Sequence, residues 1–205
     1  MASKTSSFTT LLLLSLLLVG ASARASLPAV LVIGDSISAA YGMPIEKGWV
    51  SLIQRRMQTR ARFINAAISG ETTAGAAHSL TGLLEQHHPQ VVILEIGAND
   101  GLRGHPPKVI YDNLAGIIER SLKAGAAVLL TGIDIPSNYG PTYRNAFRSV
   151  YPKLAANYDI AFVPSIFDKI FSRRELLQSD DLHPNEAAQH LIADHIFPVL
   201  TTLLD

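Results

Sequence analysis

The segment Ala29-Val30-Leu31-Val32-Ile33 is an unbroken apolar run of five residues, and Gly34-Asp35-Ser36 follows it directly. A short apolar run of this kind is typical of a β-strand that is buried on both faces of a sheet. Four more segments are predicted to be strands, at residues 62–66, 91–96, 127–131 and 160–163. Because segments with helical spacing separate these runs, the pattern predicts one three-layer α/β domain with a five-stranded parallel sheet.

Helices are predicted over residues 49–57, 73–86, 107–124, 143–158 and 185–203. In the third of these helices the apolar positions share one predicted face, at Ile110, Leu114, Ile117, Ile118 and Leu122. Gly125 follows as a residue that can end a helix. We expect Pro152 to kink or split the fourth helix and Pro198 to distort the fifth, because proline lacks the N–H group that a helix requires.

The composition excludes several classes of protein. The chain has 205 residues and no cysteine, which excludes a disulfide scaffold, a thiolate metal site and a cysteine nucleophile. Seventeen basic and seventeen acidic side chains balance each other, which argues against a general nucleic-acid binder. With 48% hydrophobic and 17% charged residues, the chain is too apolar to be disordered.

The N-terminal segment has the pattern of an export signal. Lys4 precedes an apolar core at residues 11–19, and the small residues Ala21-Ser22-Ala23 follow it. The core has roughly half of the ~20 apolar residues that a membrane span needs. We therefore predict a cleaved signal peptide over residues 1–25 and a mature domain over residues 26–205. This domain would be periplasmic or secreted, with no stable membrane anchor.

Candidate functional residues follow three of the predicted strands, at the edge of the sheet where such folds place their binding sites. Ser36 follows the first strand, where backbone N–H groups would favour a developing negative charge. Gly70 follows the second strand and can offer an unobstructed backbone N–H group, and the side-chain amide of Asn99 follows the third. Each residue also has a common structural interpretation, because serine often caps a helix and glycine and asparagine are frequent in turns.

A carboxylate and an imidazole occur close together near the end of the chain. Asp180 and His183 are three residues apart, so one turn can join them. The carboxylate would then hold the imidazole tautomer and stabilise its charged form, as in a Ser-His-Asp triad. Asp181 is an alternative partner for His183, and a capping aspartate beside a solvated histidine is the plain structural interpretation.

Together these residues resemble the SGNH (GDSL) hydrolase family. The four matching blocks are Gly34-Asp35-Ser36, Gly70, Gly97-x-Asn99-Asp100 and Asp180-x-x-His183-Pro184, in the family's order. Further strings, among them Asn138-Tyr139-Gly140 and His183-Pro184-Asn185, look like the branch that contains the periplasmic acyl-CoA thioesterase I / protease I / lysophospholipase L1 and arylesterase enzymes.

The resemblance implies a flavodoxin-like fold with Ser36 as the nucleophile, His183 as the base and Asp180 as the residue that orients His183. It implies an oxyanion hole made of the Ser36 and Gly70 backbone N–H groups and the Asn99 amide. The implied substrates are small acyl thioesters, aryl and short-chain esters, and lysophospholipids. No metal, organic cofactor or nucleic acid is expected, and the chain is expected to be a monomer.

This sequence departs from the family pattern at two positions. Ala98 stands where relatives often have glycine, which would slightly restrict the loop. Asp134 stands where this branch often has a basic residue, in a segment that would border the acyl groove. The family's preference for acyl chain length therefore does not carry over to this sequence.

Two other functions remain open from the sequence. His183, Glu186 and His190 could share one helix face and hold a metal ion in a metal-dependent hydrolase, although the sequence has no H-E-x-x-H pattern. Alternatively, the chain could be a non-catalytic binding module of flavodoxin-like shape, in which Ser36 would have no chemical role.

Overall fold

The sheet has five strands, all parallel. The computed structural model describes residues 26–167 and 169–205, so the predicted export signal lies outside the described residues. The strands are β1 Ala29–Gly34, β2 Arg62–Asn65, β3 Val91–Glu95, β4 Ala127–Thr131 and β5 Ala161–Val163. Their spatial order is β2-β1-β3-β4-β5, and every neighbouring pair is parallel. The predicted five-stranded parallel sheet is confirmed.

Helices cover both faces of this sheet. They are α1 Trp49–Arg56, α2 Thr73–His87, α3 Ala98–Leu102, α4 Pro107–Lys123, α5 Pro141–Arg148, α6 Val150–Tyr158 and α7 Glu186–Thr202. On one face α1 packs against α7, and on the other α4 packs against both α2 and α6. Among these helices, none combines the length and the apolar character that crossing a bilayer requires.

The central strands are buried because their side chains meet helices on both faces. Every residue of β1 and of β3 is buried, and Val30, Leu31 and Val32 have no exposed surface. Burying one such aliphatic side chain contributes about 1.5–3 kcal/mol. One residue of β3 carries an ionisable group. It is Glu95, the last residue of the strand, which is as completely buried as its apolar neighbours.

Helix α4 follows the predicted apolar stripe with one exception. Ile110, Leu114, Ile117 and Ile118 are fully buried, whereas Leu122 on the same predicted face is 39% exposed. At about 100° per residue, Leu122 lies roughly 120° around the helix from Ile110, at the margin of the buried face. The helix ends at Lys123, and Gly125 follows with a φ of +83° that suits glycine.

The two helical prolines have different effects. Pro152 lies in the first turn of α6, and the predicted helix is split between Arg148 and Val150. Within a continuous helix the nitrogen of Pro152 would face the carbonyl of Arg148 without a proton to donate. Because the helix is split, this hydrogen bond is not required. Pro198 lies inside α7, which nevertheless runs without a break to Thr202.

The strand order creates the crevice in which the polar residues meet. The chain leaves β1 toward β2 on one side and returns to β3 on the other, so β1 and β3 are neighbours whose following loops diverge. In open α/β sheets a crevice forms at such a reversal, outside the carboxyl ends of the strands. Ser36 follows β1 and Asn99 follows β3, so both residues lie at this reversal.

Candidate active site

Ser36 lies in a tight turn that follows β1. The turn is closed by hydrogen bonds from Ala39 N to Asp35 O and from Tyr41 N to Ser36 O, both 2.9 Å long. Gly34 is required for space rather than for an unusual backbone angle, because an added Cβ would collide with the side chain of Ser38. The turn leaves Ser36 partly exposed between the fully buried Asp35 and the core residue Ile37.

His183 connects Ser36 to Asp180. Its Nε2 atom lies 2.9 Å from the Oγ atom of Ser36, and its Nδ1 atom lies 2.7 Å from Oδ2 of Asp180. The structure thus brings together three predicted residues, from a loop after β1 and a loop before α7. A serine hydroxyl held in this way can lose its proton to the imidazole as it attacks an electrophile.

Asp180 is held as a carboxylate by several donors. Its Oδ1 atom accepts hydrogen bonds from the backbone N–H groups of Leu182 and His183, each 3.0 Å long. Burial on its own would raise the pKa of Asp180, but the backbone N–H of His183, its ring and the N–H of Leu182 lower it from 3.8 to about 2. A carboxylate that stays ionised in this position can accept a hydrogen bond from Nδ1 of His183.

Asp181, the other predicted candidate partner, points away from His183. Its carboxylate pairs with the guanidinium of Arg174 at the surface. Its backbone has a φ of +57°, which turns the chain sharply between Asp180 and His183. The structure therefore distinguishes two aspartates that are adjacent in the sequence.

Asn99 lies beside the same turn, in the first turn of α3. Its Nδ2 atom donates to Oδ2 of Asp35 over 3.3 Å, and the residue lines the same cavity as Ser36 and His183. The chain reaches this position through Gly97, whose φ is +120° and whose added Cβ would collide with the Tyr151 hydroxyl. One N–H group of the amide is thus held by Asp35, and the second remains for a ligand.

Gly70 belongs to the loop that follows β2. Ile68 in this loop donates its backbone N–H to Gly34 O over 3.1 Å, which brings the loop to the end of β1. Gly70 has a φ of +82°, an added Cβ would meet nothing within 4 Å, and its carbonyl accepts a hydrogen bond from Arg103. It is not among the residues that line the cavity beside Ser36.

The cavity beside Ser36 is small and mostly apolar. Its volume is about 70 Å³, and its polar members are Ser36, Asn99, Asp134 and His183. Apolar side chains complete the wall, among them Ile37, Leu102, Ile135, Phe167, Phe171 and Leu182. A larger cavity of about 460 Å³ shares only Asp134 with it and is not lined by Ser36 or His183.

Asp134, the unusual residue of this segment, carries an ion pair at the wall of the cavity. Its carboxylate pairs with Arg144, whose Nε atom lies 2.9 Å from both Oδ1 of Asp134 and the carbonyl of Ile135. Arg148 lies 3.7 Å from the same carboxylate. Arg144 therefore pins the segment that supplies Ile135 to the cavity wall.

Sequence reasoning missed a pair of buried carboxyl groups beneath the site. Asp35 and Glu95 are both fully buried, and Ser38 Oγ donates to Oε2 of Glu95 over 2.7 Å. Burial raises the pKa of Asp35 from 3.8 to about 6, against the opposing effects of the Ile37 N–H group and the His183 charge. Burial, and after it the charge of Asp35, raise the pKa of Glu95 well above 4.5. The available signal was Glu95 itself, the one charge in an apolar strand.

The residues of the alternative metal site are engaged elsewhere. Glu186 accepts a hydrogen bond from Lys47 over 2.6 Å, while His183 is held between Ser36 and Asp180. Within residues 26–167 and 169–205, no three histidine, aspartate or glutamate side chains are grouped as metal ligands would be. The geometry thus gives the metal-dependent alternative no support.

Comparison with known proteins places this architecture in context. Residues 32–191 match the sequence profile of the GDSL-like Lipase/Acylhydrolase family. Esterase TesA of Pseudomonas aeruginosa is 42% identical over 184 residues, which cover 88% of this chain and 92% of that protein. Thioesterase 1/protease 1/lysophospholipase L1 of Escherichia coli strain K12 is 38% identical over 175 residues, covering 85% and 84%.

A solved structure shows the same fold. The psychrotrophic esterase EstA from Pseudoalteromonas sp., in a crystal form inhibited by monoethylphosphonate, superposes with a TM-score of 0.82 and 40% sequence identity. The superposition covers 86% of this chain and 98% of EstA.

Proposed function

Because this chain belongs to the GDSL-like lipase/acylhydrolase family of hydrolases, we propose that it cleaves acyl esters and thioesters through Ser36, His183 and Asp180. One observation carries the proposal: the imidazole of His183 lies between Ser36 Oγ at 2.9 Å and Asp180 Oδ2 at 2.7 Å. The names of the relatives support the substrate class, which comprises esters, acyl thioesters and lysophospholipids.

The reaction begins with proton transfer from Ser36 to His183. Ser36 Oγ attacks the acyl carbonyl, and Nε2 of His183 accepts the proton. Asp180 keeps the proton on Nδ1 and stabilises the imidazolium that forms. The leaving alcohol or thiol takes the proton from His183, and Ser36 is left as an acyl ester. Water then repeats the sequence and releases the acid.

Three donors would stabilise the tetrahedral intermediate. They are the backbone N–H groups of Ser36 and Gly70 and the free N–H of the Asn99 amide. The support for Asn99 is its place in the cavity wall and the bond that Asp35 accepts from it. Donors that are fixed before the reaction stabilise developing charge without further reorganisation.

The small cavity supports a preference for short acyl groups within that substrate class. Its volume is about 70 Å³ and its wall is mostly apolar, which suits a short acyl chain. The pinned segment at Asp134 and Ile135 forms one wall of this space. Longer chains would need that wall to move.

Hydrolysis of p-nitrophenyl esters from acetate to palmitate tests both parts of the proposal. The Ser36→Ala variant should lose turnover on every ester, and the wild-type rate should be highest on the shortest ones. Activity that survives in Ser36→Ala would refute the assigned nucleophile. An optimum at palmitate would refute the argument from cavity size while leaving the nucleophile in place.

We further propose that residues 1–25 are removed on export and that residues 26–205 act as a monomer in the periplasm or outside the cell, with a small-molecule substrate and no cofactor. The support is the signal-like pattern of the N-terminus. Intact-mass measurement of the exported protein tests the cleavage, since a mass that retains these residues would contradict it. Light scattering tests the monomer.

A further inference from the structure

The Ser36–His183 contact joins loops that are 147 residues apart in the chain. The loop that carries His183 has little packing of its own, because Ser179, Asp180 and Asp181 are all exposed. A nucleophile and a base must nevertheless be held within hydrogen-bond reach for proton transfer to be efficient. Other groups must therefore hold this loop against the Ser36 turn.

Gln178 is placed to hold it. The side-chain amide of Gln178 donates from Nε2 to two carbonyl oxygens, that of Tyr41 at 2.8 Å and that of Pro184 at 3.2 Å. Its backbone N–H donates to His183 O over 2.8 Å. Gln178 thus binds the segment that follows Ser36 through the Tyr41 carbonyl, and it binds the loop of His183 through the carbonyls of His183 and Pro184.

These bonds form a continuous path between the two reacting residues. Tyr41 N donates to the carbonyl of Ser36 itself, and the carbonyl of Tyr41 accepts from Gln178, which in turn donates to Pro184 next to His183. The ring of Tyr41 also lies against the ring of His183, with centroids 4.6 Å apart. A displacement of the Gln178 side chain would therefore change the positions of both Ser36 and His183.

A second glutamine makes a parallel link from the buried side. The fully buried Gln189 accepts a hydrogen bond from Trp49 N over 3.0 Å and donates to the same Pro184 carbonyl over 3.4 Å. Trp49 begins α1, which follows the nucleophile turn in the chain. Two amides from different elements thus converge on one carbonyl beside His183, and each also binds the segment that continues from Ser36.

We propose that Gln178 is a positioning residue for the hydrolytic reaction, which holds Nε2 of His183 at bonding distance from Ser36 Oγ by joining the Tyr41 and Pro184 carbonyls. This inference rests on the proposed roles of Ser36 and His183. Gln178 does not touch the substrate cavity, so its effect is on the alignment of the base rather than on substrate binding.

The Gln178→Met variant tests the proposal, because methionine has nearly the same length and shape as glutamine but no N–H group. Gln54→Met is the matched control, since Gln54 is exposed on α1 and has no part in the path. For p-nitrophenyl acetate we expect kcat to fall about tenfold in Gln178→Met with KM within twofold. This loss is smaller than the roughly 10²-fold cost of a 1 Å misplacement because Gln189 still binds Pro184.

A second readout separates positioning from general destabilisation. Phosphorylation of Ser36 by diethyl p-nitrophenyl phosphate forms the Ser36 Oγ–P bond, expels p-nitrophenolate and passes the serine proton to His183. Its rate constant should fall by the same factor as kcat, while the thermal midpoint stays near that of Gln54→Met.

Each outcome decides the question. A Gln178→Met variant with kcat within twofold of wild type, or one that fails to fold, would overturn the positioning role. A rise in KM with kcat unchanged would overturn it as well. Failure of the underlying function is a separate result, because Ser36→Ala would then be as active as wild type.

Discussion

Replacing Asp180 with alanine should reduce turnover strongly, whereas replacing the adjacent Asp181 should not. Asp180 Oδ2 lies 2.7 Å from Nδ1 of His183, while Asp181 pairs with Arg174 at the surface. The two variants remove the same carboxylate from neighbouring positions, so their difference isolates the contact with the imidazole.

The magnitude follows from the charge pair that forms when His183 takes the serine proton. Opposite charges about 4 Å apart attract by about 4 kcal/mol at an effective dielectric constant near 20. The Asp180 side chain is 40% exposed, so solvent screening weakens this attraction, and about 2–3 kcal/mol remains, in the upper part of the range for a hydrogen bond to a charged group. At about 1.4 kcal/mol per factor of ten, kcat should fall about 10²-fold. This is less than the roughly 10⁴-fold loss on altering a buried triad aspartate.

Initial rates on p-nitrophenyl acetate at saturating substrate measure the effect. Asp180→Asn should also be slow, because an amide can hold the imidazole in the wrong tautomer. Asp181→Ala should stay within about twofold of wild type, since exposed ion pairs contribute about 0–1 kcal/mol. The reasoning is refuted if Asp180→Ala retains a third of the wild-type kcat, or if Asp181→Ala is the slower variant.

Two further predictions concern the groups around Ser36. Asn99→Ala should lower kcat about 10²–10³-fold with a smaller change in KM, because it removes a donor to the developing oxyanion; full activity in steady-state assays would exclude that role. Folding raises the pKa of Asp35 from 3.8 to about 6, so the folded protein should lose about 2 kcal/mol of stability between pH 4 and pH 7 as this buried carboxyl ionises. Urea unfolding across this range should show a flatter profile for Asp35→Asn, and an unchanged profile would contradict the assignment.

The fold was predictable because its evidence is local. Four of the five strands are short, mostly apolar runs, and all five lie where the sequence predicts a strand. The split between α5 and α6 was predictable from Pro152 for the same reason, because proline has no N–H group to bond the carbonyl of the residue four positions earlier. Leu122 shares the predicted face but is 39% exposed, because helical spacing gives a direction around the axis and not the width of the surface packed against it.

The site was predictable in part. Parallel strands bring their carboxyl ends to one edge, so Ser36 and Asn99 could be expected near each other before any contact was known. The spacing of three residues to His183 favoured Asp180 over Asp181, but the burial of Glu95 beneath the site could not be derived in this way. That burial depends on neighbours that are distant in the chain.

Apolar periodicity and turn residues act over a few positions, so the amino-acid sequence alone specifies the class of fold, the order of the elements and the residue types available for hydrolytic chemistry. The folded structure was needed to measure the contacts of His183 with Ser36 and Asp180 and to show that Gln178 joins their loops through Tyr41 and Pro184. The difference is one of range. Hydrogen bonds between segments more than a hundred residues apart form only after the sheet and its helices have fixed where each loop begins, and no local pattern records that geometry.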